Sequence, residues 1–175
     1  MLTMLRHAAA IMLMPFMVVA GVPWLLMKTF AGVDHRWSGP LLELPFRTAG
    51  SLLFVVGLAL FSWCVGLFAR IGHGTLAPWD PARDLVTVGP YRIVRNPMIS
   101  GVAMMLLGQS LFEGSAVLGI WACTFLCINH FYFVLSEEPG LERRFGESYG
   151  RYKESVPRWV PCLKLWSGRR CGSRG

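Results

Sequence analysis

The chain has 175 residues, with 17 Lys and Arg against 10 Asp and Glu, and 54% of its residues are hydrophobic. Its mean hydropathy of +0.47 indicates more apolar surface than a single soluble core of this length would bury. A net charge of +7 is also typical of nucleic-acid-binding proteins, but here the basic residues adjoin long apolar stretches, so we predict a membrane protein that binds no nucleic acid.

Uncharged stretches predict the membrane helices. Residues 8–27, 48–69 and 114–136 contain no charge over 20, 22 and 23 residues, enough to cross a hydrocarbon layer of roughly 30 Å. Residues 98–112 form a shorter uncharged stretch, and Glu113-Gly114-Ser115 after it is the predicted turn of a tilted helical hairpin. The first stretch resembles a signal peptide, but no cleavage pattern follows it, so we predict a retained helix.

The distribution of Lys and Arg predicts the topology. Three lie between the first two stretches, four lie from Arg70 to Arg95, and nine follow Ser136, which places both termini and residues 70–97 in the cytosol. Residues 29–45 are then an extracytosolic connector. Residues 70–97 are rich in Gly and Pro and predict an ordered loop. Beyond residue 136, apolar residues at helical spacing predict one amphipathic helix that ends at Pro157: Leu141, Phe145, Tyr149, Tyr152 and Val156.

The predicted fold is therefore an all-α, polytopic membrane protein. Residues 1–69 hold two N-terminal transmembrane helices, residues 70–161 hold the loop, the hairpin and the amphipathic helix, and residues 162–175 form a basic tail that we expect to be disordered. The five cysteines lack paired CxxC spacing, so we expect no metal site and no structural disulfide.

Several short motifs occur in a fixed order: Leu85 to Met98 (LVTVGPYRIVRNPM), Glu137-Glu138-Pro139, Phe145-Gly146-Glu147 and Val156-Pro157-Arg158-Trp159. Together they resemble the isoprenylcysteine carboxyl methyltransferase superfamily and are similar to phosphatidylethanolamine N-methyltransferases. The resemblance implies an S-adenosyl-L-methionine pocket at the cytosolic end of the hairpin. The cofactor contacts that it implies are Arg83, Asp84, Leu85, Val86, Tyr91, Asn96, Pro97, Met98, Ile99, Glu137 and Glu138. The prenylcysteine enzymes have His, Tyr and Arg where this chain has Asn96, Ile99 and Phe133.

The residue types in these motifs suit such a cofactor. Glu137 can accept hydrogen bonds from ribose hydroxyls or an α-ammonium, and Arg95 or Arg92 can bind a carboxylate or a lipid phosphate. Asn96-Pro97 predicts a helix start, with Asn96 as N-cap. His130 lies seven residues before Glu137, hence on the same predicted helix face, as either a catalytic base or a core histidine. We name His130 and Arg95 as catalytic candidates, and His73 as a further residue near the cofactor.

The function predicted from these features is S-adenosylmethionine-dependent methylation of a lipidic or amphiphilic acceptor in the bilayer, at the cytosolic face of a plasma or bacterial inner membrane. Two alternatives stay open. The Tyr-x-x-x-Arg-x-Pro stretch is also similar to NADPH-dependent sterol reductases, and the chain also fits a non-enzymatic protein that binds lipid or a partner. The acceptor and the oligomeric state are not predicted.

Overall fold

The computed structural model describes residues 15–32, 34, 40–71 and 87–160. In this part of the chain all regular structure is helical, as predicted. We number the α-helices in chain order: α1 (Val22–Thr29), α2 (Pro40–Ile71), α3 (Pro97–Glu113), α4 (Ala116–Tyr132), α5 (Glu138–Phe145) and α6 (Glu147–Ser155). π-Helical turns at Met17–Gly21 and Phe133–Glu137 precede α1 and α5, and a 3-10 turn covers Gly89–Arg92.

Backbone carbonyls in the π-helical turn before α1 accept hydrogen bonds from side chains of the hairpin. Pro23 has no N–H, so carbonyls about one turn before it lack their helical donor. Side chains of the hairpin supply donors instead: Gln109 Nε2 donates to the Val19 carbonyl at 2.7 Å, and Trp121 Nε1 donates to the Val18 carbonyl at 3.2 Å. The predicted span 8–27 includes residues outside the described part, so its crossing stays a prediction.

Helix α2 begins earlier than the sequence predicted. The predicted connector 29–45 was wrong at its end, because the helix starts at Pro40 and contains Pro45. Pro40 removes no helical hydrogen bond, because the first four N–H groups of a helix have no helical acceptor, whereas Pro45 is the sixth residue and leaves one carbonyl of the first turn without its helical donor. Glu43 and Arg47, one turn apart, form an ion pair of 3.0 Å on this first part of the helix.

Helices α2 and α3 pack with their backbones in contact. A Cβ built on Gly57 would lie 2.6 Å from the Gly101 carbonyl oxygen, and one built on Gly108 would lie 2.7 Å from the Gly50 carbonyl oxygen. The two glycines on each helix are seven residues apart, two helical turns, and they pair in antiparallel order. The part of α2 near Phe61, whose backbone nitrogen would lie 3.0 Å from a Cβ built on Gly101, therefore lies beside the first turns of α3.

The predicted hairpin turn is confirmed. Helix α3 ends at Glu113, Gly114 adopts φ 66°, and the Ser115 side chain caps α4 by accepting from the Leu118 N–H. Asp34, from the connector after α1, accepts hydrogen bonds from the Ser115 hydroxyl and, at 3.4 Å, from the Val117 N–H. The connector and the hairpin turn thus meet at one end of the helices.

Two helical segments are long and apolar enough to cross a membrane, Leu42–Leu67 and Ala116–Phe145. Only 22% and 17% of their most apolar windows are buried, whereas the core helix of a soluble protein is mostly buried. Their exposed apolar surface fits a lipid environment. In the second segment the uncharged part ends at Ser136, and its roughly 32 Å match the thickness of the hydrocarbon layer, so a crossing by this segment does not require Glu137 to enter that layer.

The single amphipathic helix predicted over residues 141–156 was wrong, because Gly146 interrupts it. Gly146 has φ 53°, which an α-helix cannot accommodate, and it separates α5 from α6. The apolar residues nevertheless share one cluster: Tyr149, Tyr152 and Val156 are buried, with Leu141 and Phe145 packed against them. In the structure these apolar residues therefore pack against other parts of the protein, which was one of the two environments possible for an amphipathic helix; the other was the lipid headgroup region.

Candidate active site

Two segments that are distant in sequence meet at the end of the helices opposite the hairpin turn. Arg95, just before α3, places Nη1 2.9 Å from Oε1 of Glu138, the first residue of α5. The Arg95 N–H also donates to the Pro157 carbonyl at 2.9 Å. Asn96 and Glu137 are the sequence neighbours of this ion pair, so the predicted proximity of the two segments is confirmed.

The N-terminus of α3 is partly as predicted. Pro97 is the first helical residue and Asn96 the N-cap, but the Asn96 side chain makes no capping hydrogen bond. The Asn96 carbonyl instead accepts from the Ser100 N–H at 3.1 Å and from its hydroxyl at 3.0 Å. In this first turn Met98 and Ile99 have N–H groups without an intrahelical acceptor.

Tyr91 is buried between the end of α2 and the C-terminal helices. It packs against Cys64, and its carbonyl accepts a 2.7 Å hydrogen bond from the Tyr152 hydroxyl. Burial raises the pKa of Tyr91, and the neighbouring Cys64, Tyr152 and Glu137 raise it further. Tyr91 and Glu137, both predicted to contact the cofactor, are thus close enough for the Glu137 charge to affect the pKa of Tyr91.

The π-helical turn Phe133–Glu137 changes which glutamate shares a face with His130. A π turn contains one residue more than an α turn and so rotates everything after it by one position. Arg158 contacts both His130, at 3.4 Å, and Glu138, at 2.6 Å. The prediction that Glu137 lies on the His130 face was therefore wrong: Glu138 lies there, and Glu137 faces the neighbourhood of Tyr91.

Glu138 is buried and surrounded by cations. Its Oε1 accepts from Arg95 Nη1 and from Arg158 Nε at 2.8 Å, and its Oε2 lies 3.3 Å from Lys153 Nζ. Lys153 also binds Glu142, at 2.7 Å. With three cations around one carboxylate, Glu138 has little capacity left for a ligand.

Glu137 contrasts with its neighbour. It is half-buried, and its carboxyl group makes no hydrogen bond or ion pair with another residue of the described part. Burial raises its pKa to about 7, and the adjacent Glu138 carboxylate contributes to that rise. Glu137 is thus a carboxyl group that a cationic ligand would ionise.

His130 makes contacts that the sequence did not indicate. Its Nδ1 lies 3.1 Å from Trp159 Nε1, which can only donate, so Nδ1 accepts and the ring proton of a neutral His130 is on Nε2. Trp159 also packs against Phe133, with ring centroids 6.1 Å apart. The Val156-Pro157-Arg158-Trp159 motif was the available sequence signal for Arg158 and Trp159.

The other predicted contacts are only partly described. Arg83, Asp84, Leu85, Val86 and His73 lie outside the described residues. Met98 packs against the cluster of Cys64 and Tyr91, and Arg92 has an interaction partner. The cofactor pocket itself stays a prediction. A cavity of about 290 Å³ lies elsewhere, between α2 and α3 near the hairpin turn, where Gly50, Phe112 and Glu113 line it.

The fold and this arrangement are those of a helical, membrane-associated protein with a charged site where one helical hairpin begins and ends. The model of the phospholipid methyltransferase family matches residues 46–148, more than half of the chain. The chain belongs to this family, a member of the isoprenylcysteine carboxyl methyltransferase-like superfamily, so the predicted resemblance is confirmed.

One relative and the solved structures complete the comparison. An uncharacterized protein of Haemophilus influenzae is 30% identical over 63 residues, which are 36% of this chain and 100% of that protein. No solved structure matches. The family match includes Tyr91, Arg95, Asn96, Glu137 and Glu138 and ends before Arg158 and Trp159.

Proposed function

We propose that the protein is an S-adenosylmethionine-dependent methyltransferase that acts on a lipidic or amphiphilic acceptor at the cytosolic face of the membrane. The observation that carries this proposal is the Arg95–Glu138 ion pair of 2.9 Å, which brings the start of the hairpin and the adjacent Glu137 to one end of the helices. Membership of the phospholipid methyltransferase family supports the reaction class. In this proposal the chain crosses the membrane several times, with both termini cytosolic.

The residues at this end suit the charged parts of the cofactor. Glu137 is a half-buried carboxyl group with a pKa of about 7, so an α-ammonium group beside it favours its ionised form. The first-turn N–H groups of α3, at Met98 and Ile99, suit the cofactor carboxylate. When bound, S-adenosylmethionine supplies a methyl group on a positively charged sulfur.

The remaining residues have positioning and proton-transfer roles in this proposal. Methyl transfer from a sulfonium gains mainly from alignment and exclusion of water, so no nucleophilic side chain is required. Arg95 holds the turn before α3 against Glu138. His130 is the candidate base for an acceptor that must lose a proton. Its Nδ1 accepts a hydrogen bond from Trp159 Nε1, so this bond has to break before Nδ1 can take up a proton.

Calorimetry of the detergent-solubilised protein with S-adenosylhomocysteine tests the proposal. Wild type is expected to bind, and Glu137→Ala to lose binding because the carboxylate that holds the ligand cation is gone. Glu142→Ala is the matched control, since Glu142 is an exposed glutamate of the same segment that pairs with Lys153. Absence of binding by wild type, or equal binding by Glu137→Ala, contradicts the proposal.

The acceptor is identified in a second experiment. Membranes containing the protein are incubated with methyl-labelled S-adenosylmethionine and extracted into organic solvent, and membranes with the Glu137→Ala variant serve as the control. Label in a lipid extract that depends on Glu137 supports a lipidic acceptor and identifies it. Thermal protection by NADPH, without protection by S-adenosylhomocysteine, would instead favour a reductase.

A further inference from the structure

A change of helical register after α4 determines which of the adjacent glutamates, Glu137 or Glu138, lies on the His130 face. In a continuous α-helix Glu137, seven residues after His130, would lie on the His130 face. The π turn Phe133–Glu137 advances the chain by one residue and places Glu138 there instead. The two carboxylates therefore have different surroundings. A contact from outside this helix can favour the π turn over a continuous α-helix and so determine which glutamate lies on the His130 face.

Arg158 makes contacts that can stabilise the π turn. Its Nε and Nη2 lie 2.8 and 2.6 Å from Oε1 of Glu138, and its Nη1 lies 3.4 Å from His130 Nδ1. One guanidinium thus binds the residues before and after the π turn. Its side chain is only 17% exposed, so these bonds form away from bulk water, where charge-assisted hydrogen bonds are strong.

The backbone next to Arg158 is itself held in place. The carbonyl of Pro157 accepts from the Arg95 N–H at 2.9 Å, and Val156 is buried in the cluster with Tyr149 and Tyr152. Trp159 adds its bond to His130 at 3.1 Å. Arg158 therefore reaches Glu138 from a segment whose position is set independently of the helix that carries the glutamates.

We propose that Arg158 is a positioning residue: by binding Glu138 and His130 it stabilises the π turn between them and leaves Glu137 directed toward Tyr91 and a ligand. This deepens the proposed function and rests on it for the identity of the ligand. Without Arg158, Glu137 and Glu138 compete for the same cations, Arg95 and Lys153. Glu138 then binds structural cations less completely and Glu137 is held less firmly for a ligand.

The test follows the Glu137 carboxyl group directly. ¹³C NMR of the detergent-solubilised protein, labelled at glutamate carboxyl carbons, gives the titration midpoint of Glu137, whose signal is identified by its loss in Glu137→Gln. In Arg158→Gln, Glu137 is expected to compete with Glu138 for Arg95 and Lys153, and a carboxyl group that gains a cationic partner titrates lower, so this midpoint should fall by roughly half a pH unit or more. Arg158→Lys keeps the charge and is expected to recover part of the shift. The matched control Arg151→Gln removes an exposed arginine of α6 and leaves the midpoint unchanged.

A second measurement separates this inference from the proposed function. Affinity for S-adenosylhomocysteine is expected to fall roughly tenfold in Arg158→Gln and to recover partly in Arg158→Lys. A wild-type protein that binds no S-adenosylhomocysteine contradicts the proposed function, while the NMR midpoints still decide the role of Arg158. A Glu137 midpoint in Arg158→Gln equal to or above that of wild type overturns the inference, because loss of a positive charge alone would raise the midpoint and only competition for Arg95 and Lys153 lowers it. Should Arg158→Gln fail to fold, a wild-type midpoint in Arg158→Lys, which lacks the planar fork, overturns it as well.

Discussion

The backbone contact between α2 and α3 makes a sharp prediction for Gly57→Ala. A Cβ at this position would lie 2.6 Å from the Gly101 carbonyl oxygen, 2.9 Å from Met104 Cβ and 2.9 Å from the Met105 nitrogen. Ordinary contacts of a Cβ begin near 3.4 Å, so the helices would have to separate by several tenths of an ångström. Because two of the three atoms belong to backbone, no side-chain rotation relieves the clash.

The magnitude follows from two opposing effects. Overpacking of a close interface costs about 1–3 kcal/mol, and replacing a mid-helix glycine by alanine returns roughly 0.5–1 kcal/mol. We expect Gly57→Ala to lower the free energy of unfolding by about 1–2 kcal/mol. Gly66→Ala, on the same helix with nothing within 4 Å of its Cβ, is the matched control and is expected to be neutral or slightly stabilised.

The assay is unfolding of the protein in mild-detergent micelles by titration with SDS, followed by tryptophan fluorescence. The predicted order of stability is Gly66→Ala, at or above wild type, followed by Gly57→Ala below both. If Gly57→Ala were as stable as Gly66→Ala, the close approach of the α2 and α3 backbones at Gly57 and Gly101 would be refuted.

Three further predictions concern the ends of the hairpin. The pKa of Glu137 is raised to about 7 in the folded protein, above its ordinary value, so the protonated form of this carboxyl group favours folding. That contribution to the free energy of unfolding is lost as pH rises through about 7. Glu137→Gln should therefore be more stable than wild type at pH 8, by on the order of 2 kcal/mol in the SDS titration, with no such gain at pH 4. For the same group, affinity for S-adenosylhomocysteine should rise with pH up to about 7 and then level off in calorimetry, and a flat profile would exclude Glu137 as the ligand carboxylate. Ser115→Ala removes the N-cap of α4 and its bond to Asp34 and should cost about 1–2 kcal/mol in the SDS titration, whereas Ser136→Ala, an exposed serine near the other end of the same helical segment, should cost less than about 0.5 kcal/mol.

Much of the site was predictable because its signals are local. Asn96-Pro97 indicated the start of α3, Glu113-Gly114-Ser115 indicated the hairpin turn, and the acidic pair marked the end of the apolar stretch. Each of these follows from what neighbouring residues do to the backbone: proline fixes φ, glycine permits positive φ, and charge avoids lipid. Family motifs then associated these points with a cofactor.

The roles within the acidic pair were not predictable from local pattern. A spacing of seven residues put Glu137 beside His130, and the π turn moved Glu138 there instead. A π turn has no reliable sequence signature, because it is stabilised by contacts to other segments, here Arg158 from beyond α6. Gly146 likewise was compatible with one helix or two until its φ of 53° separated α5 from α6.

By itself, the sequence determined the helical class, the apolar stretches, the hairpin turn and the segments that form the candidate site, since hydropathy and backbone preference act over a few neighbouring residues. Only the tertiary structure decided that Glu138 binds Arg95, Arg158 and Lys153 while Glu137 makes no such bond. The physical reason is that helical register and ion pairing depend on residues far apart in the chain, whose contacts exist only once the helices have packed.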